Sequence, residues 1–328
     1  LVVLVGLGMA IYRRYVLKPT RLDTKTIDTF ALVLITLIIV TGFFNEAMRI
    51  AYTAFPDFEK LSSPVGYVLA LPFGLMSDGA LEVGHKINWW VHMLAAFSFI
   101  GLVASAKIGH ILISFLHIYY MNLDNESSTT KFAVPVIDPK HFEVAESFGV
   151  SKVEEFTWKQ LMDGDACTRC GRCQDNCPAY LTEKPLSPKK MINDVKAAMD
   201  DRIPQLMLAE DKAALETKAL IGDDSEGSGF VQPEEFWSCT NCAACMEACP
   251  VNIEHVPKMI DMRRYKVLME GDMAPELQTT FMNMETNFNP YGFGFGTRGD
   301  WLPADLGVKT LAEDAQVDYV NFVGCAAS

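Results

Sequence analysis

Cysteines are the residues of this chain whose spacing most directly indicates chemistry, and eight of the nine fall in two short blocks. Residues 167–178 read CTRCGRCQDNCP and residues 239–250 read CTNCAACMEACP, so the pattern C-x2-C-x2-C-x3-C-P occurs twice. Thiolates at this spacing ligate [4Fe–4S] clusters, in which each of the irons takes one sulfur. The two blocks therefore predict a pair of cubane clusters.

The fourth cysteine of each block is expected to serve the cluster of the other block, as this spacing does in two-cluster ferredoxins. Zinc sites and disulfide frameworks are poorer explanations, because zinc sites use fewer cysteines and disulfides need an oxidising compartment. One cluster is then predicted to take Cys167, Cys170, Cys173 and Cys249, and the other Cys239, Cys242, Cys245 and Cys177.

Charge and hydrophobicity divide the chain near residue 120. The first 120 residues hold long apolar runs with nine Lys/Arg and seven Asp/Glu, so the net charge of −13 belongs almost entirely to the remainder. An acidic, solvated surface lacks the basic footprint of nucleic-acid binding. We therefore expect a membrane part followed by an acidic part with no nucleic-acid partner.

Three segments of the membrane part are candidates to cross a bilayer, which needs about 20 mostly apolar residues. Residues 1–12 read as the tail of one helix, residues 27–50 as a full span, and residues 89–120 as a helix that crosses and projects beyond the surface. Residues 63–76 are too short and too rich in proline and glycine to cross, and read as interfacial or re-entrant.

Basic residues cluster between the first two spans, which predicts that this loop is cytoplasmic. The soluble half should then emerge on the same side, so we expect a multi-pass protein of the cytoplasmic (inner) membrane whose iron–sulfur domain faces the cytoplasm. The residues that carry this prediction are Arg13, Arg14, Lys18, Arg21 and Lys25.

Two histidines of the last span have the spacing of haem ligands. His92 and His110 are eighteen residues apart, five helical turns, so on one helix they share a face about 27 Å apart along the axis, close to the roughly 30 Å of the hydrocarbon core. Such a stripe suits two stacked b-type haems. His85 and His117 lie on nearly the same face, so geometry leaves the choice between the pairs open.

The stretch from Val91 to Phe115 resembles the last helix of the gamma subunit of respiratory nitrate reductase, a dihaem quinol-oxidising membrane protein. The resemblance implies that His92 and His110 are axial ligands of two b haems. Because residues 27–50 contain no histidine, the opposite ligands are expected outside this chain. Lys107 could pair with a haem propionate or simply extend to the membrane surface.

Residues 165–192 and 237–265 resemble iron–sulfur oxidoreductases related to heterodisulfide reductase. The segment 321–328, NFVGCAAS, resembles the start of the cysteine-rich domain that follows in these proteins. The resemblance implies a further, non-cubane iron–sulfur site there with Cys325 as a ligand, although a lone buried thiol explains Cys325 equally well.

The predicted fold is a membrane all-α dihaem domain followed by a mainly α, ferredoxin-like dicluster domain, with the beginning of a cysteine-rich domain. The expected divisions are 1–120 for the haem b domain, 121–160 for a linker, 161–275 for the dicluster domain and 276–328 for the connection to the cysteine-rich domain. Within the soluble half, residues 187–201, 207–221 and 256–271 show helical periodicity.

Together the two resemblances are typical of membrane-bound electron-transfer-flavoprotein:menaquinone oxidoreductases. They imply an enzyme that passes electrons from a soluble flavoprotein through two [4Fe–4S] clusters and two b haems to menaquinone. His85 and Lys86, at the outer end of the last span, are a candidate quinone site, although a structural pair at the interface explains them equally well. One alternative is a quinol-dependent, heterodisulfide-reductase-like enzyme running in the other direction. Another is a relay and anchor subunit for a separate flavin dehydrogenase.

Overall fold

The computed structural model describes residues 2–104, 109–121, 145, 147–209, 218–222 and 228–326. The chain forms two compact units, residues 1–263 and residues 264–328. The described residues are mostly helical, which agrees with the predicted fold class.

The amino-terminal part of the first unit consists of helices joined by short connections. In chain order these are α1 (Val2–Ile11), a π-helical segment (Tyr12–Leu17), α2 (Thr26–Tyr52), α3 (Glu59–Ser62), α4 (Pro64–Ala70), a 3₁₀ segment (Leu71–Leu75), α5 (Asp78–Ala104) and α6 (His110–Tyr119).

Helices α2 and α5 pack against each other and, among the described residues, are the two that are long and apolar enough to cross a membrane. Most residues of their apolar stretches are not buried, which would be unusual for a core helix of a soluble protein. Phe30 and Val33 of α2 and Leu94 and Phe97 of α5 are examples of exposed apolar side chains. This exposure is consistent with the predicted membrane part.

The last predicted span begins earlier than expected and is described as two helices. Helix α5 starts at Asp78 rather than at Trp89, so its first turns contain charged residues. Two of them, Glu82 and Lys86, form an i,i+4 pair at 2.6 Å that stabilises the helix. Helix α6 follows from His110, and Lys107 lies outside the described residues.

The segment between α2 and α5 packs back against α2. Helix α4 and the 3₁₀ turn after it lie against the carboxyl-terminal part of α2, where the ring of Phe73 meets that of Phe44 at 6.1 Å. The buried cluster here includes Ile50 and Ala70. The chain therefore leaves α2 and enters α5 at the same end of the helix pair.

The rest of the first unit contains both cysteine blocks between short and medium helices. These elements are α7 (Trp158–Ala166), α8 (Arg172–Asp175), α9 (Pro178–Leu181), α10 (Pro188–Leu208), β1 (Ala219–Ile221), β2 (Gly229–Val231), α11 (Pro233–Trp237), α12 (Ala244–Glu247) and α13 (His255–Leu268), which continues into the second unit.

A small parallel sheet was not expected from the sequence. Strands β1 and β2 pair with Ala219 opposite Gly229 and Ile221 opposite Val231. The helical periodicity assigned to residues 207–221 was therefore wrong at its end, since residues 219–221 form β1. Their β-branched and aliphatic side chains pack on the core instead, where Leu220 is buried.

The core of the cysteine-bearing part is aliphatic, with buried methionines from the helices on both sides of the blocks. Phe236, Met191, Met259 and Met262 are fully buried in it. Ile113 of α6 packs against the same core. Helix α6 is therefore packed on the cysteine-bearing part.

The basic loop between α1 and α2 contacts the cysteine-bearing part directly. Arg21 pairs with Asp175 at 3.0 Å, and Lys189 pairs with Asp23 at 2.5 Å while donating to the carbonyl of Arg21 at 2.8 Å. The soluble half thus lies on the same side of the helix pair as the basic loop.

The second unit contains the end of α13, helix α14 (Pro275–Asn287) and two 3₁₀ turns, Phe295–Thr297 and Ala304–Leu306. Gly271, with a φ of +64°, follows the end of α13, as the sequence predicts for a helix stop.

Candidate iron–sulfur centre

The two cysteine blocks fold as repeats of one backbone conformation. Arg169 and Asn241, at the same position of each block, both have positive φ (52° and 56°), as do Gly171 and Ala243 (75° and 59°). Left-handed residues other than glycine carry strain, so their recurrence at equivalent positions indicates a shape that the loops must adopt. A short helix then follows each loop, α8 in the first block and α12 in the second.

This loop shape directs backbone N–H groups at the sulfurs. The amide of Asn241 donates to Cys239 Sγ at 3.4 Å, and the amide of Ile253 donates to Cys249 Sγ at 3.3 Å. Arg169 provides the equivalent of the Asn241 donor to Cys167, and the backbone of Gln174 donates to Cys173. Hydrogen bonds of this kind stabilise thiolates that ligate an iron–sulfur cluster and help to set its potential.

The first three thiols of the first block, those of Cys167, Cys170 and Cys173, are partly buried and lie close together. The pKa of Cys173 is raised to about 12, first by burial and then by the neighbouring sulfurs of Cys167, Cys249 and Cys170. Burial likewise raises the pKa of Cys167 to about 11, with Cys249 and Cys170 as its neighbours. The fourth sulfur beside this trio therefore comes from the other block.

The second block shows the same arrangement. Burial raises the pKa of Cys245, and its neighbouring sulfurs are those of Cys239, Cys173, Cys177 and Cys242. Cys177 of the first block is also a neighbour of Cys239. Cys173 and Cys245 bring the two groups of sulfurs next to each other.

These residues fit a pair of iron–sulfur clusters. The eight cysteines of the blocks form no disulfide, so they are available as ligands. Among the described residues, no three His, Cys, Asp or Glu side chains lie close enough together to bind a single metal ion. This does not count against a cluster, because the thiolates that ligate a four-iron cube are further apart than the ligands of one ion. Buried thiols that do not ionise readily alone become thiolates when a metal binds them.

A buried ionic cluster lies beside the first block and was not found from the sequence. Asp163, in α7 four residues before Cys167, contacts Lys258 of α13 and accepts from Lys159 at 3.3 Å. Burial alone would raise the pKa of Asp163, but Lys258, the hydrogen bond with His117, and Lys159 hold it well below its usual range. Asp163 and Lys258 are 95 residues apart, so no spacing in the sequence indicates that they form a pair.

Of the predicted haem ligands, His92 lies in the α2–α5 contact. Its Nδ1 is 2.9 Å from Thr41 Oγ1, and its ring lies against Gly42. One turn before it, Asn88 donates to the carbonyl of Thr41 at 2.8 Å and to Asn45 Oδ1 at 2.7 Å. The helix contact is therefore polar around His92.

The other histidines of this region lie in different environments. His110 begins α6, and His117 is fully buried against α7. His85 lines a cavity of about 340 Å³ at the ends of α2 and α5, together with Lys86, Glu82, Arg49, Tyr52, Met48 and Leu81.

Cys325 lies in the second unit beside a cation. Its sulfur is 3.7 Å from Arg298 Nη2, and Arg298 also donates to the carbonyl of Phe288 at 2.8 Å.

Comparison with known proteins supports the interpretation of the cysteine blocks as an iron–sulfur site. Residues 163–253 match the family model described as the 4Fe-4S dicluster domain. This part of the chain is therefore an iron–sulfur dicluster domain.

Relatives extend the similarity beyond that domain. The chain is 40% identical to the EtfAB:quinone oxidoreductase of Syntrophomonas wolfei, over 99% of this chain and 48% of that protein. It is 30% identical to the probable iron-sulfur-binding oxidoreductase FadF of Bacillus subtilis, over 99% of this chain and 49% of that protein. It is 29% identical to one component of the dihydromethanophenazine:CoB–CoM heterodisulfide reductase of Methanosarcina mazei, over 53% of this chain and 40% of that protein.

The chain thus resembles heterodisulfide-reductase-related iron–sulfur oxidoreductases, as its motifs predict, and its first relatives are oxidoreductases that it matches along nearly its whole length. It spans about half the length of those relatives. No solved structure matches the chain.

Proposed function

We propose that this chain is the membrane-attached electron-transfer part of an iron–sulfur oxidoreductase. Electrons from a soluble flavoprotein pass through two [4Fe–4S] clusters and two b haems to menaquinone. The observation that carries the proposal is the position of the eight-thiol domain, whose surface pairs with the basic loop between two membrane helices through Arg21 and Lys189. Clusters bound there would lie next to the membrane, where they could pass electrons to the haems and from the haems to a quinone.

The clusters are proposed to take one cysteine each from the opposite block. The neighbours of the buried sulfurs support this, because Cys249 is a neighbour of Cys167 and Cys173, while Cys177 is a neighbour of Cys239 and Cys245. The proposed ligand sets are Cys167, Cys170, Cys173 and Cys249 for one cluster, and Cys239, Cys242, Cys245 and Cys177 for the other.

His92 is proposed as an axial ligand of a b haem. Histidines that bind metal commonly donate their second ring N–H to a protein oxygen, which orients the ring. An Nδ1–H of His92 that donates to Thr41 Oγ1 would leave the Nε2 lone pair for iron. A bound haem would supply one-electron transfer at this depth of the membrane.

His110 is proposed as the ligand of the second haem, with the opposite ligands of both haems from outside this chain. The shared stripe of His92 and His110 needs a helix that continues through residues 105–108, which lie outside the described residues. Lys107, proposed to pair with a propionate, is among them.

The cavity around His85 is a candidate site for the menaquinone head group. It lies at the carboxyl-terminal end of α2 and the amino-terminal end of α5, whereas the basic loop adjoins the opposite end of α2. His85 and Lys86 offer hydrogen-bond donors for quinone carbonyls, and Met48 and Leu81 offer apolar contacts.

The proposed setting is the cytoplasmic membrane, with the iron–sulfur domain facing the cytoplasm. The excess of Lys and Arg in the loop that contacts the domain supports this orientation. The printed name of the Syntrophomonas relative, EtfAB:quinone oxidoreductase, supports an electron-transfer flavoprotein as the donor and a quinone as the acceptor. Cys325 is proposed as a ligand of a further iron–sulfur site that would meet the donor.

A second candidate runs in the opposite direction, from quinol to a disulfide at the cysteine-rich site. The similarity to a component of a heterodisulfide reductase favours it. In a third, the chain is a relay and anchor for a separate flavin dehydrogenase.

The experiment that tests the proposal uses the full-length protein purified from membranes. We expect about eight irons in cubanes, and a split b-type α band on reduction. Reduced electron-transfer flavoprotein should reduce the clusters and haems, and menaquinone should reoxidise them. Cubane signals without a haem band would remove the haem assignment of His92 and His110. Reduction by menaquinol with no response to the flavoprotein would favour the reverse direction.

A further inference from the structure

Arg263 of α13 binds the peptide segment that begins the second cysteine block. Its Nε donates to the carbonyl of Phe236 at 2.9 Å, and its Nη2 donates to the carbonyl of Cys239 at 2.5 Å. Its Nη1 donates to Asn241 Oδ1 at 3.3 Å, and its guanidinium lies 5.3 Å over the ring of Trp237. One side chain thus fixes the end of α11 and the first turn of the block.

These contacts reach the sulfur through one further residue. Asn241, whose side chain accepts from Arg263, has a φ of +56° and donates its backbone N–H to Cys239 Sγ at 3.4 Å. The guanidinium also donates to the carbonyl of Cys239 itself, so its positive charge lies beside this cysteine. The guanidinium is therefore both a clamp on the loop and a fixed positive charge beside the sulfur.

We propose that Arg263 is a positioning residue that shapes the Cys239 loop and raises the reduction potential of the cluster that this cysteine ligates. The inference rests only on the dicluster part of the proposed function. Reduction adds one electron to the cluster, supplied by the reduced flavoprotein or by a chemical reductant. The guanidinium stays protonated, so its charge stabilises the more negative, reduced state and no proton moves.

The first block has a different environment, so the effect is expected on one cluster. Before Cys167, the carbonyl of Ala166 lies 3.5 Å from the neutral hydroxyl of Ser114. The charges on that side are the buried anion Asp163 with its lysine partners, and Arg169, whose charge acts on Cys167. The clusters should therefore differ in potential, with the Cys239 cluster responding to Arg263.

The test is a redox titration of the full-length, cluster-loaded protein followed by electron paramagnetic resonance. Three variants separate charge from geometry: R263M removes both, R263Q keeps hydrogen-bond donors without the charge, and R263K keeps the charge without the planar fork. R202Q is the matched control, because Arg202 forms a 3.0 Å pair with Glu154 on another part of the surface. C242S identifies the signal of the same cluster through an altered ligand.

At the potential where the wild-type Cys239 cluster is half reduced, R263M and R263Q should lower its reduced-to-oxidised ratio at least tenfold, about 59 mV for one electron. R263K should change the g-values of that signal with a ratio within about threefold of wild type. The other cluster, and both clusters of R202Q, should be unchanged. If R263M does not assemble clusters, R263Q still measures the reduction potential of the Cys239 cluster without the positive charge.

A wild-type-like potential in both R263M and R263Q, or an equal shift of both clusters, would overturn the inference while leaving the proposed function in place. A wild-type protein that carries no cubane clusters would overturn both.

Discussion

His117 and Asp163 form a fully buried pair between α6 and α7, the helix that ends at the first cysteine block. The second oxygen of Asp163 contacts Lys258 of α13, whose side chain is also buried. Three helices from distant parts of the chain thus meet at one carboxylate. This cluster joins α6 to the dicluster domain, next to the cysteines of the first block.

Asp163→Asn should strongly destabilise the domain, because Lys258 would be left buried without its anionic partner. Breaking a buried pair in this way typically costs about 3–5 kcal/mol of the free energy of unfolding. Since Asp163 has a pKa below its unfolded value, its contribution is fully present above about pH 5 and is lost only below about pH 4. Guanidinium denaturation between pH 5 and pH 8 should give a constant difference.

Asp165→Asn is the matched control for that prediction. Asp165 pairs with Lys196 at 2.6 Å, but it is partly exposed, so its loss should cost at most about 1 kcal/mol. Equal losses for the two variants would contradict the role given to the buried cluster.

Gly171→Ala should loosen the contact between the basic loop and the iron–sulfur domain. Gly171 has a φ of +75°, and a Cβ there would lie 2.6 Å from the carbonyl oxygen of Arg21. The added strain is about 1–2 kcal/mol from the left-handed backbone alone. Trypsin should therefore cleave after Arg21 several times faster in the variant, measured in the membrane-embedded protein.

Ala243→Gly is the control, since Ala243 stands at the equivalent position of the second block and already holds a Cβ at a φ of +59°. This substitution should leave the cleavage rate after Arg21 unchanged. Unchanged cleavage in Gly171→Ala as well would mean that the basic loop does not depend on this contact.

The sequence predicts the features that have a local pattern. The eight cysteines repeat at fixed spacings, and α2, predicted over residues 27–50, runs from Thr26 to Tyr52 because its apolar run is continuous. Helix α5 was misplaced at its start because Glu82 and Lys86 look like residues outside a span. Their i,i+4 pair in fact keeps them helical.

Features made by residues far apart in the chain could not be predicted. Asp163 and Lys258 lie on different helices, and so do Arg263 and the carbonyls it binds. The strand at residues 219–221 is stabilised by pairing with β2 rather than by its own pattern. In each case the partner is set by the packing of elements and not by sequence spacing.

His255→Gln should reduce the dependence of stability on pH. Burial, and next the charge of Lys258, lower the pKa of His255 to about 4. The unfolded chain, with an ordinary histidine pKa of about 6.5, then binds more protons between pH 4 and pH 6.5. Wild-type protein should therefore lose about 2 kcal/mol more than the variant between pH 7.5 and pH 5 in chemical denaturation. Parallel curves for the two proteins would show that His255 does not stay neutral in the folded state.

Thr41→Val tests the haem assignment of His92 without changing the histidine itself. Thr41 Oγ1 lies 2.9 Å from His92 Nδ1, and valine keeps the shape while removing this oxygen. Loss of such a partner typically lowers metal affinity about 10–100-fold, so we expect less haem and a shifted α band in the full-length protein. Thr36→Val is the control, because Thr36 Oγ1 donates only to the carbonyl of Leu32 among its described contacts, and the haem should be unchanged. A wild-type haem spectrum and haem content in Thr41→Val would count against His92 as a ligand.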